Sequence, residues 1–140
     1  MPQPPLGRRR VLLAMPLLPA ARRARVQHAA YPGRPIRVVV AWPAGGGVDT
    51  PVRLVAGPMG RALGQPLVLE NRGGATGSIG EAEAARAAPD GHTLLATGLS
   101  LATNPMLMRG LGYDPVAAFI PVTQLTSAPL LLVVRADHPA

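Results

Sequence analysis

The chain has 140 residues, which is the size of a single domain. It contains no cysteine, which excludes a disulfide framework and a cysteine-based zinc or thiol site. Hydrophobic residues make up 48% of the chain and aromatic residues only 3%, so we expect a core of aliphatic side chains.

The net charge of +7 is concentrated at the N-terminus. Six of the 14 basic residues lie within the first 30, where there is no acidic residue. From Tyr31 onward there are 8 arginines and 7 acidic residues, which leaves a net charge of +1. This near-neutral body has no arginine cluster interleaved with aromatics, which argues against a nucleic-acid-binding protein.

The first 30 residues have the pattern of a targeting segment. Arg8, Arg9 and Arg10 precede an apolar run over residues 11–21, and small residues at 29–30 suit a cleavage site. We therefore expect residues 1–30 to be a signal-peptide-like segment, with a twin-arginine leader as a second possibility. Prolines within the apolar run and arginines after it favour the alternative of a disordered or misannotated leader.

Strand-like and helix-like segments alternate after this leader. We expect strands over residues 36–41, 67–69, 93–97, 119–122 and 130–134. We expect helices over residues 50–63 and 79–87, with an early end or kink at Pro58, and a short helix near Asn104 with Pro105 in its first turn. This alternation through glycine-rich loops predicts an α/β fold with a parallel-rich sheet and flanking helices.

Three loops follow strands, and ligands of such sheets bind at the carboxyl ends of strands. The first, residues 43–49, is rich in glycine and opens a helix, which suits an anion; Asp49 is the expected N-cap. The second covers residues 71–78. The third, residues 97–104, carries hydroxyls and an amide that could bind a polar ligand or cap a helix. A tight turn without a ligand remains the alternative for the first loop.

Known catalytic and nucleotide-binding motifs fit poorly. The chain has no lysine, so it lacks a phosphate-binding Walker loop, and Thr50 replaces the third glycine of a dinucleotide fingerprint. Residues 98–102 differ by one residue from the nucleophile elbow of serine hydrolases, with Ser100 as the nucleophile. Ala102 stands in place of its second glycine, and His138 lies two residues from the last residue, so a remnant hydrolase is the weaker alternative.

A set of short motifs runs in order from Tyr31 to Arg135. They are Tyr31-Pro32-Gly33-Arg34-Pro35-Ile36, Pro43-Ala44-Gly45-Gly46-Gly47-Val48-Asp49 with Arg53, Leu63-Gly64-Gln65-Pro66, Glu70-Asn71-Arg72, Gly77-Ser78-Ile79-Gly80, Ala88-Pro89-Asp90-Gly91-His92-Thr93-Leu94-Leu95, Asn104-Pro105 and Tyr113-Asp114-Pro115. In this order and spacing, the chain resembles the substrate-binding proteins of tripartite tricarboxylate transporters, also called Bug receptors.

The resemblance implies a two-lobed fold, similar to type II periplasmic binding proteins, that closes around a small carboxylate. It implies no enzymatic activity, no metal and no cofactor, and the membrane components of a transporter as partners. The ligand-binding residues that it implies are Ala44, Gly45, Gly46, Gly47, Asp49, Gly77, Ser78, Ser100, Thr103 and Asn104. Thr76 stands where the family commonly has glycine, and its side chain could obstruct a close approach of the second loop's backbone to a ligand.

Members of that family continue well beyond the length of this chain. We therefore expect residues 31–140 to form part of the first lobe only, ending near the crossing to the second lobe. The resulting expectation is a periplasmic carboxylate receptor with an incomplete first lobe, impaired by truncation. The alternative is a non-functional fragment.

Overall fold

A computed structural model describes residues 31–129 and 131–136. Within this part, three strands and three helices alternate. They are β1 (Ile36–Val40), α1 (Asp49–Leu63), β2 (Leu67–Asn71), α2 (Ser78–Ala85), β3 (Thr93–Ala96) and α3 (Ser100–Leu107), with a 3-10 turn at Ala75–Gly77 before α2. The expected targeting segment lies outside the described residues.

The strands form one parallel sheet in the order β2-β1-β3. Val38 of β1 is level with Leu69 of β2 and Leu94 of β3. As the central strand, β1 is covered on both edges and both faces, which suits its run of branched side chains. The predicted α/β class with a parallel sheet is confirmed.

Helix α1 covers one face of the sheet. Val38 and Val40 of β1 form the buried core with Val52 of α1, and partly buried aliphatic side chains of β2 and β3, with Val48, pack around them. Val39 points to the opposite face, because successive side chains of a strand alternate, and it is also fully buried. The core thus has two layers, one on each side of β1.

Helix α2 packs against the second face at very short range. A Cβ atom on Gly80 would lie 2.7 Å from the Arg72 carbonyl oxygen and 2.8 Å from the Ala41 Cα, so only glycine fits there. On this face, Arg37 of β1 forms ion pairs with Glu70 of β2 at 2.8 Å and with Glu83 of α2. These pairs connect the central strand to β2 and to α2.

Helix α1 does not end at Pro58 as one sequence-based alternative predicts. It continues to Leu63, and Gly64 terminates it in the left-handed conformation at φ 70°. Pro58 is exposed, and the carbonyl that it leaves without a helical partner belongs to Leu54, whose side chain is also exposed. Solvent can hydrogen-bond to that carbonyl, and the helix continues past the proline despite the lost backbone hydrogen bond.

Two further sequence-based predictions are wrong. Helix α3 begins at Ser100, because the carbonyl of Gly98 and that of Leu99 accept the first helical N–H groups, and Pro105 lies in its second half. Residues 119–122 and 131–134 form no strand, and Ile120 is 90% exposed. A strand requires a neighbour for its backbone groups, and none of the three described strands lies beside these segments.

None of the helices described for residues 31–129 and 131–136 has the length and apolarity needed to cross a membrane.

The contact at Gly80 yields a test of the packing of α2. We expect Gly80→Ala to lower the free energy of unfolding by about 1–3 kcal/mol, because its Cβ would overlap backbone atoms. Gly57→Ala is the matched control, since Gly57 is an exposed position of α1 whose Cβ would meet only a flexible arginine end at 3.7 Å. Because alanine has a higher helix propensity than glycine, Gly57→Ala should raise the free energy of unfolding by up to about 1 kcal/mol. Urea denaturation measures both, and equal effects would contradict the packing described.

Candidate functional site

A cleft lies at the carboxyl ends of β1 and β3. Beyond β1 the chain turns to α1 on one face of the sheet, whereas beyond β3 it turns to α3, which packs with α2 on the other. The loop after β1 and the loop after β3 therefore run to opposite faces of the sheet and leave a crevice between them. Such a crevice is typical of parallel sheets where the strand order reverses. The crevice has a volume of about 520 Å³ and is lined by residues 42–48, Gly98 and Leu99.

The side chain of Asp49 holds the loop that follows β1. Asp49 is fully buried. Its carboxylate accepts hydrogen bonds from the Gly45 N–H at 2.7 Å, the Arg53 Nε at 2.6 Å and the Asn71 Nδ2 at 2.9 Å. The prediction that Asp49 is an N-cap is wrong: α1 begins at Asp49 itself, and the side chain turns back to the loop instead of capping the helix.

Asn71 extends this network to the end of β2. Its Nδ2 also donates to the Trp42 carbonyl oxygen at 3.0 Å, and its Oδ1 accepts from Arg53 at 3.0 Å. Arg53 first, then the Gly45 N–H and Asn71, hold the pKa of the Asp49 carboxyl well below its usual range. One ionised carboxylate therefore connects the glycine loop, α1 and β2.

The glycine loop lines the cleft, but some of its N–H groups are already used. The N–H of Gly45 donates to Asp49, and that of Gly46 donates to the Pro43 carbonyl oxygen at 3.3 Å. A Cβ on Gly47 would meet no atom within 4 Å, so Gly47 faces open space. Ala44 and Gly47 are both exposed to the cleft. The ligand contacts expected of residues 44–47 stay a prediction.

Trp42 is a lining residue that the sequence-based site omitted. It directly follows Ala41 at the end of the central strand, and it is the only tryptophan of the chain. Its indole Nε1 is buried beside Gly98 and has no hydrogen-bond partner among the residues that the structure describes. An unpaired buried donor costs about 1–3 kcal/mol, which a nearby acceptor would recover. Its position directly after a buried strand was the signal available in the sequence.

Two other predicted site residues, Ser100 and Asn104, bond to a second buried carboxylate, that of Glu81. Its Oε1 accepts from Thr97 Oγ1 at 2.6 Å and Ser100 Oγ at 2.7 Å. Its Oε2 accepts from Tyr113 OH at 2.5 Å and Asn104 Nδ2 at 3.2 Å. Burial first, and then the bond to Glu81, raises the pKa of Tyr113 to about 12.

These contacts separate the predicted site residues into two groups. Ser100 and Asn104 are buried and bonded to Glu81, and Gly77 lies against Ser100, since a Cβ there would be 3.0 Å from the Ser100 Oγ. Ser78 is the first residue of α2, and Thr103 Oγ1 donates to the Leu99 carbonyl oxygen at 3.3 Å. None of these five residues lines the cleft. Glu81 itself was missed, because an acidic residue in an alanine-rich helix gives no sign of which way it faces.

The environment of Ser100 does not support the hydrolase alternative. The one histidine within the described residues is His92, which precedes β3, whereas Ser100 lies beyond its other end. Four strand residues separate them, or about 13 Å along the strand. His138 lies outside the described residues.

No group of three or more potential metal ligands occurs in residues 31–129 and 131–136.

The family model for the tripartite tricarboxylate transporter family receptor matches residues 52–140. The chain belongs to this family. It is 41% identical over 105 residues to the protein BugT of Bordetella pertussis, with 74% of this chain and 32% of that protein aligned.

Two solved structures share the fold. The periplasmic binding protein BugD is 43% identical with a TM-score of 0.61, over 64% of this chain and 30% of that one. MatC from Rhodopseudomonas palustris, solved with bound malate, is 40% identical with a TM-score of 0.59, over 68% of this chain and 33% of MatC. The chain spans 32–42% of the length of the curated relatives that it matches. Its α/β unit is thus part of a periplasmic-binding-protein fold.

The Asp49 network predicts a pH-dependent effect of Asp49→Asn. A carboxyl whose pKa is lowered in the folded protein stabilises the fold fully at pH values above its ordinary pKa of 3.8. This contribution is lost as the pH falls from that value through the lower pKa of the folded protein. Asp49→Asn should therefore lower the urea midpoint clearly at pH 7 and by a smaller amount at pH 3, where the loss of this contribution has begun.

Asp90→Asn is the control for this measurement, because its partner Arg34 is largely exposed and such pairs contribute little. A loss for Asp49→Asn that is the same at both pH values, or no larger than that for Asp90→Asn, would contradict the role given to Asp49.

Proposed function

We propose that the chain is an extracytoplasmic solute-binding receptor that captures a small carboxylate for a tripartite tricarboxylate transporter. Residues 1–30 direct its export in this proposal, and the membrane components of the transporter are its partners. Membership of the receptor family supports this class of function. That the ligand is a small carboxylate, that a transporter is the partner and that the chain is exported are expectations for this chain.

The observation that carries the proposal is the cleft at the strand-order reversal. It is built from a glycine loop without bulky side chains, next to the N-terminal end of α1. Such a helix end carries a partial positive charge and favours an anion. MatC was solved with bound malate, which makes a small dicarboxylate the first ligand to test.

The geometry suggests a division of roles among the predicted site residues. Ala44 and Gly47 present backbone to the ligand, and Trp42 lines the cleft beside them. Asp49 acts indirectly, because its carboxylate fixes the shape of the loop and repels a ligand carboxylate if approached directly. The selectivity of the cleft would then come from backbone donors and shape.

We expect the 140-residue chain to bind malate with a dissociation constant of about 1 mM or weaker. The described residues contact the cleft from one side, so each hydrogen bond competes with water and contributes about 1 kcal/mol. Because Trp42 is the only tryptophan and lines the cleft, its fluorescence reports occupancy directly. A saturable change with malate, absent with the same concentration of sodium chloride, is the expected result.

Gly47→Val tests the location of the site. The valine side chain would extend into open space and block the cleft without disturbing its surroundings. We expect at least a tenfold loss of malate affinity with little change in stability. Gly57→Val carries the same substitution at an exposed site outside the cleft and should bind like the original chain. Unchanged affinity in Gly47→Val, or micromolar binding by the unmodified chain, would contradict the proposal as stated.

A further inference from the structure

The carboxylate of Glu81 is bound in the manner of a ligand. Each of its oxygens accepts two hydrogen bonds from neutral donors, which come from the end of β3, from α3 and from Tyr113. No cation pairs with Glu81 among the described residues, in contrast to Glu83 two positions later, which pairs with Arg37 and Arg72 at the surface. Glu81 is fully buried, so these donors take the place of its hydration.

The donors are held in place by contacts that do not involve Glu81. The second hydrogen of the Asn104 amide donates to the Thr76 carbonyl oxygen at 3.1 Å. The Tyr113 ring packs edge-on against Phe119, with centroids 6.1 Å apart. Ser100 is the first residue of α3 and lies against Gly77. Removal of the Glu81 carboxylate would thus leave a prearranged pocket of donors.

The hydrogens of these donors are already used within the described structure. The hydroxyls of Thr97 and Ser100 lie 3.1 Å apart, but each has one hydrogen and both face Glu81 Oε1. Both hydrogens of the Asn104 amide are also used. A ligand carboxylate could therefore gain these groups only by displacing that of Glu81.

We propose that Glu81 is a specificity-determining residue: its carboxylate permanently occupies an anion pocket formed by Thr97, Ser100, Asn104 and Tyr113. A ligand is thereby excluded from the side chains of Thr97, Ser100 and Asn104 and confined to the cleft lined by residues 42–48, Gly98 and Leu99. The exclusion of ligand rests on the proposed receptor function, whereas the existence of the pocket does not. The Ser100 and Asn104 side chains, which the family resemblance marks as ligand-binding, bind instead the chain's own Glu81 carboxylate.

Glu81→Ala tests the pocket by chemical rescue. The substitution removes a CH₂–COO⁻ group, which acetate can replace. We expect 100 mM sodium acetate to raise the melting temperature of Glu81→Ala by about 5 °C relative to the same concentration of sodium chloride. The original chain and Glu83→Ala should show no such difference, because the pocket is filled in both and the Glu83 carboxylate is partly exposed.

If Glu81→Ala does not fold in chloride, recovery of its helical circular dichroism in acetate is the corresponding positive result. The absence of any acetate-specific effect, on melting or on refolding, would overturn the proposal. Equal rescue of Glu83→Ala would do the same, because it would show a general effect of acetate.

A second measurement addresses the contact with Tyr113. In a Tyr31→Phe background, Tyr113 is the only tyrosine, so its ionisation can be followed by ultraviolet absorbance. Glu81→Gln keeps the side-chain shape but removes the charge, and we expect the pKa of Tyr113 to fall from about 12. An unchanged pKa would show that the carboxylate does not face Tyr113, and would overturn the pocket.

Ligand exclusion is tested separately by NMR titration with malate. In the original chain we expect shifts at residues 42–48 and none at residues 100–104, whereas Glu81→Ala should shift at both. If acetate rescues Glu81→Ala but malate causes no shifts at residues 42–48 of the original chain, the pocket proposal stands and the receptor proposal is contradicted. Shifts at 100–104 in the original chain would defeat the exclusion proposal alone.

Discussion

The buried carboxylate of Asp49 determines the shape of the cleft. It is placed at the start of α1 and bonds the backbone of the preceding loop, a cation one turn later and an amide at the end of β2. These three partners come from different parts of the chain, and each would lose a charged acceptor if Asp49 were absent. A buried charge is costly unless it is paired and hydrogen-bonded. Here that requirement fixes a glycine-rich loop that would otherwise have many conformations.

The two buried carboxylates have opposite relations to the cleft. Asp49 shapes the loop that lines it, whereas Glu81 satisfies the polar side chains of the neighbouring loop and withdraws them from solvent. The surface that remains open consists of backbone, small residues and the edge of Trp42. No arginine is among the described residues that line the cleft, so a carboxylate bound there would meet backbone dipoles from this side.

The sequence was sufficient to predict the three strands of the sheet and their parallel arrangement, because these strands are short branched segments bounded by glycine and proline. It could not reveal which polar residues point inward. Asp49 has the sequence context of an N-cap, but a cation four residues later and Asn71, 22 residues away, turn its side chain toward the loop. Glu81 differs from Glu83 only by two positions on a helix, and packing at Gly80 decides which of them is buried. The apolar segment at 119–122 has strand-forming residues but no neighbouring strand in the described sheet.

The position of a bound ligand would test the account most directly. A crystal structure of the 140-residue chain grown with saturating malate should show a carboxylate in the cleft between residues 42–48 and Gly98, with Glu81 still bonded to Ser100 and Asn104. Malate held by Ser100 and Asn104, with Glu81 displaced, would contradict the account. So would a glycine loop whose Asp49 contacts are broken when ligand is bound.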